Sequence, residues 1–194
     1  MEPNQTKTKL IEPKSTHVIN LFAGGGAGKT TTAADLFAEM KHLRLHVELV
    51  REYIKDWAWT GRECTAYDQV YVFGKQAQRE SIYYHNLDYL VTDSPLILSA
   101  FYEQHVFHNS IIAPAVFNFL EFAKSQNIVY HNFFLKRLKK FDTRGRYQTE
   151  EQARDVDNLL KTFLDDNKIS YVELNENNDR ERPNLILNHL GLNK

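Results

Sequence analysis

The sequence predicts an α/β protein in which a five-stranded parallel sheet is covered by helices on both faces. The first observation is that short apolar runs alternate with segments whose apolar residues recur at helical spacing. The second is a glycine-rich loop that ends in Gly-Lys-Thr and joins the first apolar run to a helical segment. The predicted strands are residues 18–22, 46–51, 89–92, 128–135 and 169–174.

The predicted helices fill the intervals between these strands. One helix opens at the end of the glycine loop, and the others are residues 67–85, 95–104, 113–125 and 149–165. In such a sheet the carboxyl ends of the parallel strands meet at one edge, where ligands bind. We therefore expect the polar side chains that directly follow the strands to cluster.

Length and composition indicate one domain in the cytoplasm. The 194 residues carry a net charge of −1 and a single cysteine, Cys64. Overall charge therefore does not hold the chain to DNA or to a membrane, and no internal disulfide can form. Residues 1–15 are polar and are predicted to be a flexible arm, with residues 16–194 as the domain. No signal peptide is evident, and no run approaches the about 20 apolar residues of a membrane span.

The glycine loop has the pattern of a phosphate-binding loop, or P-loop. Glycine lets the main chain curl so that several backbone N–H groups meet phosphate oxygens, and the helix N-terminus behind the loop favours an anion. Ala23 stands where the usual pattern has its first glycine, which is a mild departure. Lys29 is predicted to reach the β- and γ-phosphates of ATP. The residues predicted to bind the nucleotide are Gly24, Gly25, Gly26, Ala27, Gly28, Lys29, Thr30 and Thr31.

Asp93 ends the third apolar run and is predicted to share a magnesium site with Thr30. In P-loop proteins a carboxylate at this strand end coordinates Mg²⁺, usually through water, and the loop hydroxyl completes the shell. The alternative is a helix N-cap or turn, since Asp-Ser-Pro is also a good turn sequence. The two interpretations are compatible.

Glu52 follows the second apolar run and is a candidate general base. A carboxylate at this strand end lies near the γ-phosphate, where it can accept a proton from an attacking hydroxyl. The alternative is a surface glutamate at the start of a helix, where the helix dipole stabilises it. The residues alone do not decide between the two.

Residues 136–147 carry six basic side chains against one acid. They are interpreted as a solvated charge run, as a surface for nucleic-acid phosphates or as a lid that closes over ATP. Their place between the fourth strand and the next helix favours a lid over residues 136–150, with Arg144 and Arg146 as its cations. DNA contact through residues 136–146 is a second use of the same patch.

Aromatic residues after Glu52 suggest a planar substrate group. Tyr53 and Trp57 follow it closely, and Phe73 and Gln76 lie in the next predicted helix. Aromatic rings stack on nucleobases, and a glutamine carboxamide both donates to and accepts from a base edge. The alternative is that these are ordinary core aromatic residues.

The motifs together resemble the P-loop kinases. The chain is most similar to the small ATPase/kinase group that includes nicotinamide-riboside kinase domains and bacteriophage nucleotide kinases. The similar segments, which span residue 17 to the C-terminus, are residues 23–30, 51–55, 91–95, 145–151 and 171–174. The resemblance implies a P-loop NTPase fold with strand order 2-3-1-4-5, Mg²⁺-ATP as donor and a lid after the fourth strand. It also supports Glu52 and Asp93 as the acids near the reacting phosphate.

The function expected from the residues and the resemblance is transfer of the γ-phosphate of Mg²⁺-ATP to a nucleoside- or nucleotide-type acceptor. A phage origin, and hence the cytoplasm of a bacterium or an infected host cell, follows from the resemblance only. Two alternatives stay open: a kinase that acts on a hydroxymethylated base in DNA, and a P-loop ATPase switch or nucleotide-binding module with a protein partner. The predicted catalytic residues are Lys29, Glu52, Asp93, Arg144 and Arg146.

Overall fold

A five-stranded, all-parallel sheet forms the centre of the protein, with strand order β2-β3-β1-β4-β5. The computed structural model describes residues 14–138, 149–174 and 176–193. The strands are β1 Thr16–Phe22, β2 Val47–Val50, β3 Tyr89–Thr92, β4 Ile128–Leu135 and β5 Val172–Leu174. Both the predicted fold class and the predicted strand order are confirmed.

Helices connect the strands and end the chain. They are α1 Lys29–His42, α2 Lys55–Thr60, α3 Gln69–Ser81, α4 Leu98–His105, α5 Ala113–Ser125, α6 Glu150–Asp166 and α7 Arg182–His189. The predicted helix over residues 113–125 has the observed bounds of α5. The short helix α2 and the C-terminal helix α7 were not predicted.

The fifth strand is shorter than its apolar run predicts. Residues 169–174 read as one strand, but the backbone N–H of Ile169 donates to the carbonyl of Leu164 at 2.9 Å. That bond closes the end of α6, and the ladder with β4 begins only at Val172, which pairs with Phe133. Local helix capping therefore takes the first residues of the run.

Apolar residues cover both faces of the sheet. Leu21 and Phe133 belong to a core cluster that includes residues of α1 and α7. Their chain neighbours Phe22 and Phe134 belong to a second cluster with residues of α4, α5 and α6. Because successive side chains of a strand point to opposite faces, helices lie on both sides of the sheet, as predicted. None of the helices in the described ranges is long and apolar enough to cross a membrane.

The strand ends place the predicted motifs at one edge of the sheet. β1 pairs with β3 and with β4, and the register sets Asn20 beside Thr92 and Phe22 beside Phe134. The glycine loop after β1 and Asp93 after β3 therefore leave the same edge. Glu52 joins them, because β2 pairs with β3 in parallel register and Val50 lies beside Thr92.

A histidine pair at the opposite end of the sheet predicts acid sensitivity. His17 Nδ1 and His131 Nε2 lie 2.8 Å apart in a hydrogen bond, and the two rings are stacked. Such a bond needs one N–H donor and one bare nitrogen, so both rings cannot be protonated. Burial, followed by the positive charges of His17 and His189, lowers the pKa of His131 below its usual value.

In the unfolded chain His131 therefore binds a proton near pH 6.5, whereas in the folded chain it binds that proton only at lower pH. The stabilisation is fully present above that pH. We expect the free energy of unfolding to decrease as the pH falls from about 7 toward about 5. His131→Gln should flatten this decrease in urea titrations, whereas the exposed His42→Gln should keep it. Equal pH slopes in the two variants would contradict the assignment.

Candidate active site

The glycine loop joins β1 to α1 and needs glycine at specific positions. Gly26 has φ of 80° and Gly28 has φ of 96°, conformations that residues with a Cβ rarely adopt. A Cβ on Gly28 would also lie 2.9 Å from Nη1 of Arg182. The loop can therefore curl only with glycine there, which leaves the first N–H groups of α1 facing the edge of the sheet.

The side chain of Lys29 folds back over the glycine loop that precedes it. Its Nζ donates to the carbonyl oxygens of Ala23 at 2.7 Å and Gly24 at 3.1 Å. These bonds keep the ammonium group at the loop, where a bound phosphate would need it. The geometry accommodates the predicted phosphate-binding role.

Thr30 and Asp93 meet as the magnesium prediction requires. The Thr30 hydroxyl donates to Asp93 Oδ2 at 2.6 Å, and Asp93 is buried. Asp93 does not cap the following helix, whose N-cap residue is Ile97. No group of three or more His, Cys, Asp or Glu residues that could hold a metal occurs in the described part of the chain. A hydroxyl and one carboxylate nonetheless fit Mg²⁺ in this kind of site, because substrate phosphates and water complete its shell.

Glu52 is connected to the same carboxylate. Its backbone N–H donates to Asp93 Oδ1 at 2.9 Å, so Asp93 links the glycine loop to the segment after β2. Glu52 does not begin a helix, since α2 starts at Lys55. Its side chain lines the large cavity described next.

A cavity of about 870 Å³ opens beside the glycine loop. Its walls come from the loop, the segment after β2, the start of α3, and one side each of α4 and α6. A volume of this size holds a small organic ligand with room to spare. Apolar and polar groups both contribute to the lining, which includes Lys29, Thr30, Glu52, Lys55, Gln69, Leu98, Tyr102, Val106 and Val156.

The lining of this cavity includes none of the four residues predicted to contact the substrate, which are Tyr53, Trp57, Phe73 and Gln76. Gln76 is buried, and its Oε1 accepts the backbone N–H of Tyr53 at 3.1 Å. Trp57 is 8% exposed and contacts the ring of Tyr53. Phe73 packs edge to face on another phenylalanine ring. Gln76 and Trp57 therefore contact Tyr53, the residue after Glu52, whereas Phe73 packs in the core against α5.

Gln69 is a cavity residue that the sequence did not single out. It is 4% exposed, lines the cavity at the first turn of α3, and donates from Nε2 to Cys64 Sγ at 3.2 Å. Burial raises the pKa of the Cys64 thiol, and the charge of Asp68 adds to the effect. The thiol therefore stays protonated near neutral pH. Helix α3 carries three glutamines, Gln69, Gln76 and Gln78, and nothing in the sequence marks Gln69 as the one beside the cavity.

Lys55 was also missed. Its Nζ lies 3.2 Å from the hydroxyl oxygen of Thr30, on the side of the cavity. Whereas the Lys29 ammonium lies at the carbonyl oxygens of Ala23 and Gly24, the Lys55 ammonium thus approaches Thr30 from α2. The available signal was its position three residues after Glu52.

Arg137 links the glycine loop to α6. Its guanidinium donates to the carbonyl of Gly25 at 2.6 Å and to Asp157 Oδ2 at 2.8 Å. Asp157 Oδ1 in turn accepts the backbone N–H of Gly24. The sequence placed Arg137 only within a basic run, whereas its side chain is 6% exposed and bound to the loop.

Arg182 also bonds to the glycine loop, at Ala27. It is fully buried, forms an ion pair with buried Glu176, and donates from Nη1 to the carbonyl of Ala27 at 2.8 Å and to Thr32 Oγ1 at 3.3 Å. The backbone oxygen of Lys136 accepts a further bond from its Nη2. One side chain thus joins the loop, α1 and the end of β4. Arg144 and Arg146, the predicted lid cations, lie outside the described residues.

A family model described as AAA domain matches residues 18–182. The match covers most of the chain, which therefore belongs to this family. No curated protein matches the chain in sequence.

Solved structures of small kinases share the fold. Deoxyadenosine kinase from M. mycoides with bound dATP is 17% identical at a TM-score of 0.54, with 90% of this chain and 99% of that chain covered. Thymidylate kinase from Ehrlichia chaffeensis is 11% identical at a TM-score of 0.60, with 91% of this chain and 100% of that chain covered. NadR protein in complex with NR is 12% identical at a TM-score of 0.61, with 90% of this chain and 50% of that chain covered. Identities this low show the fold alone, and at that level the resemblance to small P-loop kinases is confirmed.

Proposed function

We propose that the protein transfers the γ-phosphate of Mg²⁺-ATP to a nucleoside- or nucleotide-type acceptor. The supporting observation is the junction at Asp93, which accepts the hydroxyl of Thr30 with one oxygen and the backbone N–H of Glu52 with the other. This junction joins the glycine loop to the wall of the cavity. A donor phosphate on the loop and an acceptor in the cavity would therefore lie side by side.

Each predicted residue has a role in this proposal. The backbone amides of residues 24–31 hold the donor phosphates, and Lys29 leaves the loop carbonyls to reach the β- and γ-phosphates. Thr30 and Asp93 would hold Mg²⁺, which neutralises charge on the phosphates. Glu52 orients the acceptor and accepts its proton. Phosphoryl transfer depends mainly on positioning and charge neutralisation, so this set is sufficient without a covalent intermediate.

The acceptor class is supported by the cavity wall and by the proteins that share the fold. The Gln69 carboxamide can donate to and accept from a base edge, and Leu98 and Val106 offer apolar surface to a planar ring. Two of the similar structures are a deoxyadenosine kinase and a thymidylate kinase. These observations support a nucleoside-like group as the acceptor.

Arg144 and Arg146 are proposed as the cations that close over the donor. Residues 139–148 follow Arg137 and precede α6, and both flanks are bound to the glycine loop, through Gly25 and Gly24. These contacts of the flanking residues support the proposal of a lid over residues 136–150.

Lys55→Met is expected to lower kcat by about 10²-fold and to change the KM for ATP less. The ammonium group lies 3.2 Å from the Thr30 hydroxyl oxygen and lines the cavity, so it can neutralise negative charge that grows during transfer. Steady-state kinetics would measure this. Lys75→Met, which removes a lysine that lies over the ring of Tyr71 on α3, is the matched control. An unchanged kcat in Lys55→Met would remove this residue from the mechanism.

The experiment for the proposed function is transfer of labelled γ-phosphate to a panel of acceptors. The panel contains nucleosides, nucleoside monophosphates, and plain and hydroxymethyl-base DNA. We expect a labelled nucleoside or nucleotide with the wild type and with Lys124→Ala, an exposed lysine paired with Glu121. We expect none with Lys29→Ala. Label that appears only on DNA, or only as free phosphate, would contradict the proposal.

A further inference from the structure

The consecutive backbone N–H groups of Glu52 and Tyr53 are each bound by a buried side chain. The N–H of Glu52 donates to Asp93 Oδ1 at 2.9 Å, and the N–H of Tyr53 donates to Gln76 Oε1 at 3.1 Å. Asp93 directly follows β3, whereas Gln76 lies in α3. From this pair of bonds we infer that Gln76 is a positioning residue, which orients the Glu52 carboxylate for the reaction, an inference that rests on the proposed kinase function.

The two bonds act on both sides of the Glu52 Cα atom. β2 ends at Val50 and α2 begins at Lys55, so residues 51–54 lie outside both elements. The N–H groups of Glu52 and Tyr53 belong to the two peptide planes that flank the Cα atom of Glu52. Holding both planes sets φ and ψ of Glu52, and thereby the direction of its Cα–Cβ bond. Either bond alone would leave one of the two planes free to rotate.

The direction of the Glu52 side chain matters because this residue borders two cavities. It belongs to the lining of the large cavity beside the glycine loop and to that of a smaller cavity of about 310 Å³. Arg79 lines the smaller cavity, where its Nη1 donates to the carbonyl oxygen of Arg51 at 3.5 Å. A guanidinium group there would attract a carboxylate. The bond from Tyr53 to Gln76 opposes a rotation that would turn Glu52 away from the donor phosphate.

The Gln76 carboxamide has few contacts that a purely structural role would explain. Within the described residues it forms one hydrogen bond, which is the bond to Tyr53. Its buried Nε2 has no partner at hydrogen-bond distance, and neither does Oε1 of the buried Glu80 one helical turn later. An unpaired buried donor destabilises a folded chain. An apolar side chain of similar size would avoid that unpaired donor, but it would not supply the oxygen that accepts the Tyr53 N–H.

The test measures phosphoryl transfer by Gln76→Met, which keeps the length of the side chain and removes the acceptor oxygen. We expect kcat to fall by about 10- to 100-fold, because a displacement of about 1 Å at a reacting group has effects of this size. The KM values for ATP and acceptor should change little, since Gln76 does not line the large cavity. Gln78→Met, at an exposed position of the same helix, should keep the wild-type kcat. Circular dichroism would show that both variants are folded.

A double variant separates positioning from a structural role. Glu52→Gln alone should lower kcat by about 10²–10⁴-fold, the range of general-base catalysis. Because Gln76 acts through Glu52, adding Gln76→Met to Glu52→Gln should change kcat by less than about threefold. A structural defect would instead lower kcat by the same factor in both backgrounds.

The outcomes separate this inference from the proposed function. A loss of kcat in Gln76→Met that disappears in the Glu52→Gln background supports the inference. The inference is overturned, and a kinase remains, if Gln76→Met matches Gln78→Met, if its loss persists undiminished beside Glu52→Gln, or if Glu52→Gln keeps the wild-type kcat. An unfolded Gln76→Met would assign the carboxamide to folding and also overturn it. Transfer by the wild type to no acceptor overturns both.

Discussion

Lys29→Ala is expected to reduce phosphoryl transfer by about 10³-fold or more, because it removes a cation from the transferring phosphate at the site where charge neutralisation drives catalysis. In the structure the ammonium group contacts the carbonyl oxygens of Ala23 and Gly24. Its removal therefore costs loop contacts rather than core packing. Far-UV circular dichroism and the melting temperature should stay close to those of the wild type.

The matched control for this prediction is Lys124→Ala on α5, an exposed lysine that pairs with Glu121. It should transfer phosphate at the wild-type rate, measured as kcat/KM for ATP at saturating acceptor. Turnover by Lys29→Ala within a few-fold of this control would exclude the glycine loop from the reaction. Loss of the folded spectrum would instead show that the lysine stabilises the loop.

Arg182→Met is expected to destabilise the protein by about 3–5 kcal/mol, the usual consequence of removing one partner from a buried ion pair. Arg182 and Glu176 are both fully or almost fully buried, so the remaining carboxylate would have no compensating charge. The variant also loses donors to Ala27 and Thr32. For a chain of this size each kcal/mol lowers the melting temperature by about 2–4 °C, so we expect a decrease of roughly 10 °C.

Two further variants separate the ion pair from other effects. Arg180→Met removes an exposed arginine two positions earlier and should leave the melting temperature nearly unchanged. Arg182→Met combined with Glu176→Gln should recover part of the loss, because no buried charge is left unpaired. Equal small changes at Arg180 and Arg182 in thermal unfolding would contradict the role assigned to the buried pair.

The sheet was predictable because its signals are local. Each central strand is a short apolar run, and the residues that alternate along it, such as Leu21 and Phe22, divide between the two cores. The glycine loop is equally local, since its spacing and its strand-to-helix context lie within one stretch of chain. The strand order followed from the resemblance. Helix α2 was missed because it has only six residues, too few for a helical period to be recognised.

The supports of the site were not predictable, because they depend on contacts between distant residues. Arg182 bonds to Ala27 across 155 positions of sequence, and nothing near Arg182 in the chain marks it as buried. The choice of Gln69 over Gln76 depends on how α3 packs, since both glutamines are buried and only Gln69 lines the cavity. The roles of Lys29, Glu52 and Asp93 remain predictions that the observed geometry accommodates.

The most direct test of the central claim is the fate of the γ-phosphate in a single turnover. Excess protein would be mixed with labelled Mg²⁺-ATP and a nucleoside, and the label would be divided between acceptor and inorganic phosphate. A kinase that closes over its donor places most of the label on the acceptor and releases little to water. Label found entirely as inorganic phosphate, whatever acceptor is present, would contradict the account and indicate an ATPase switch.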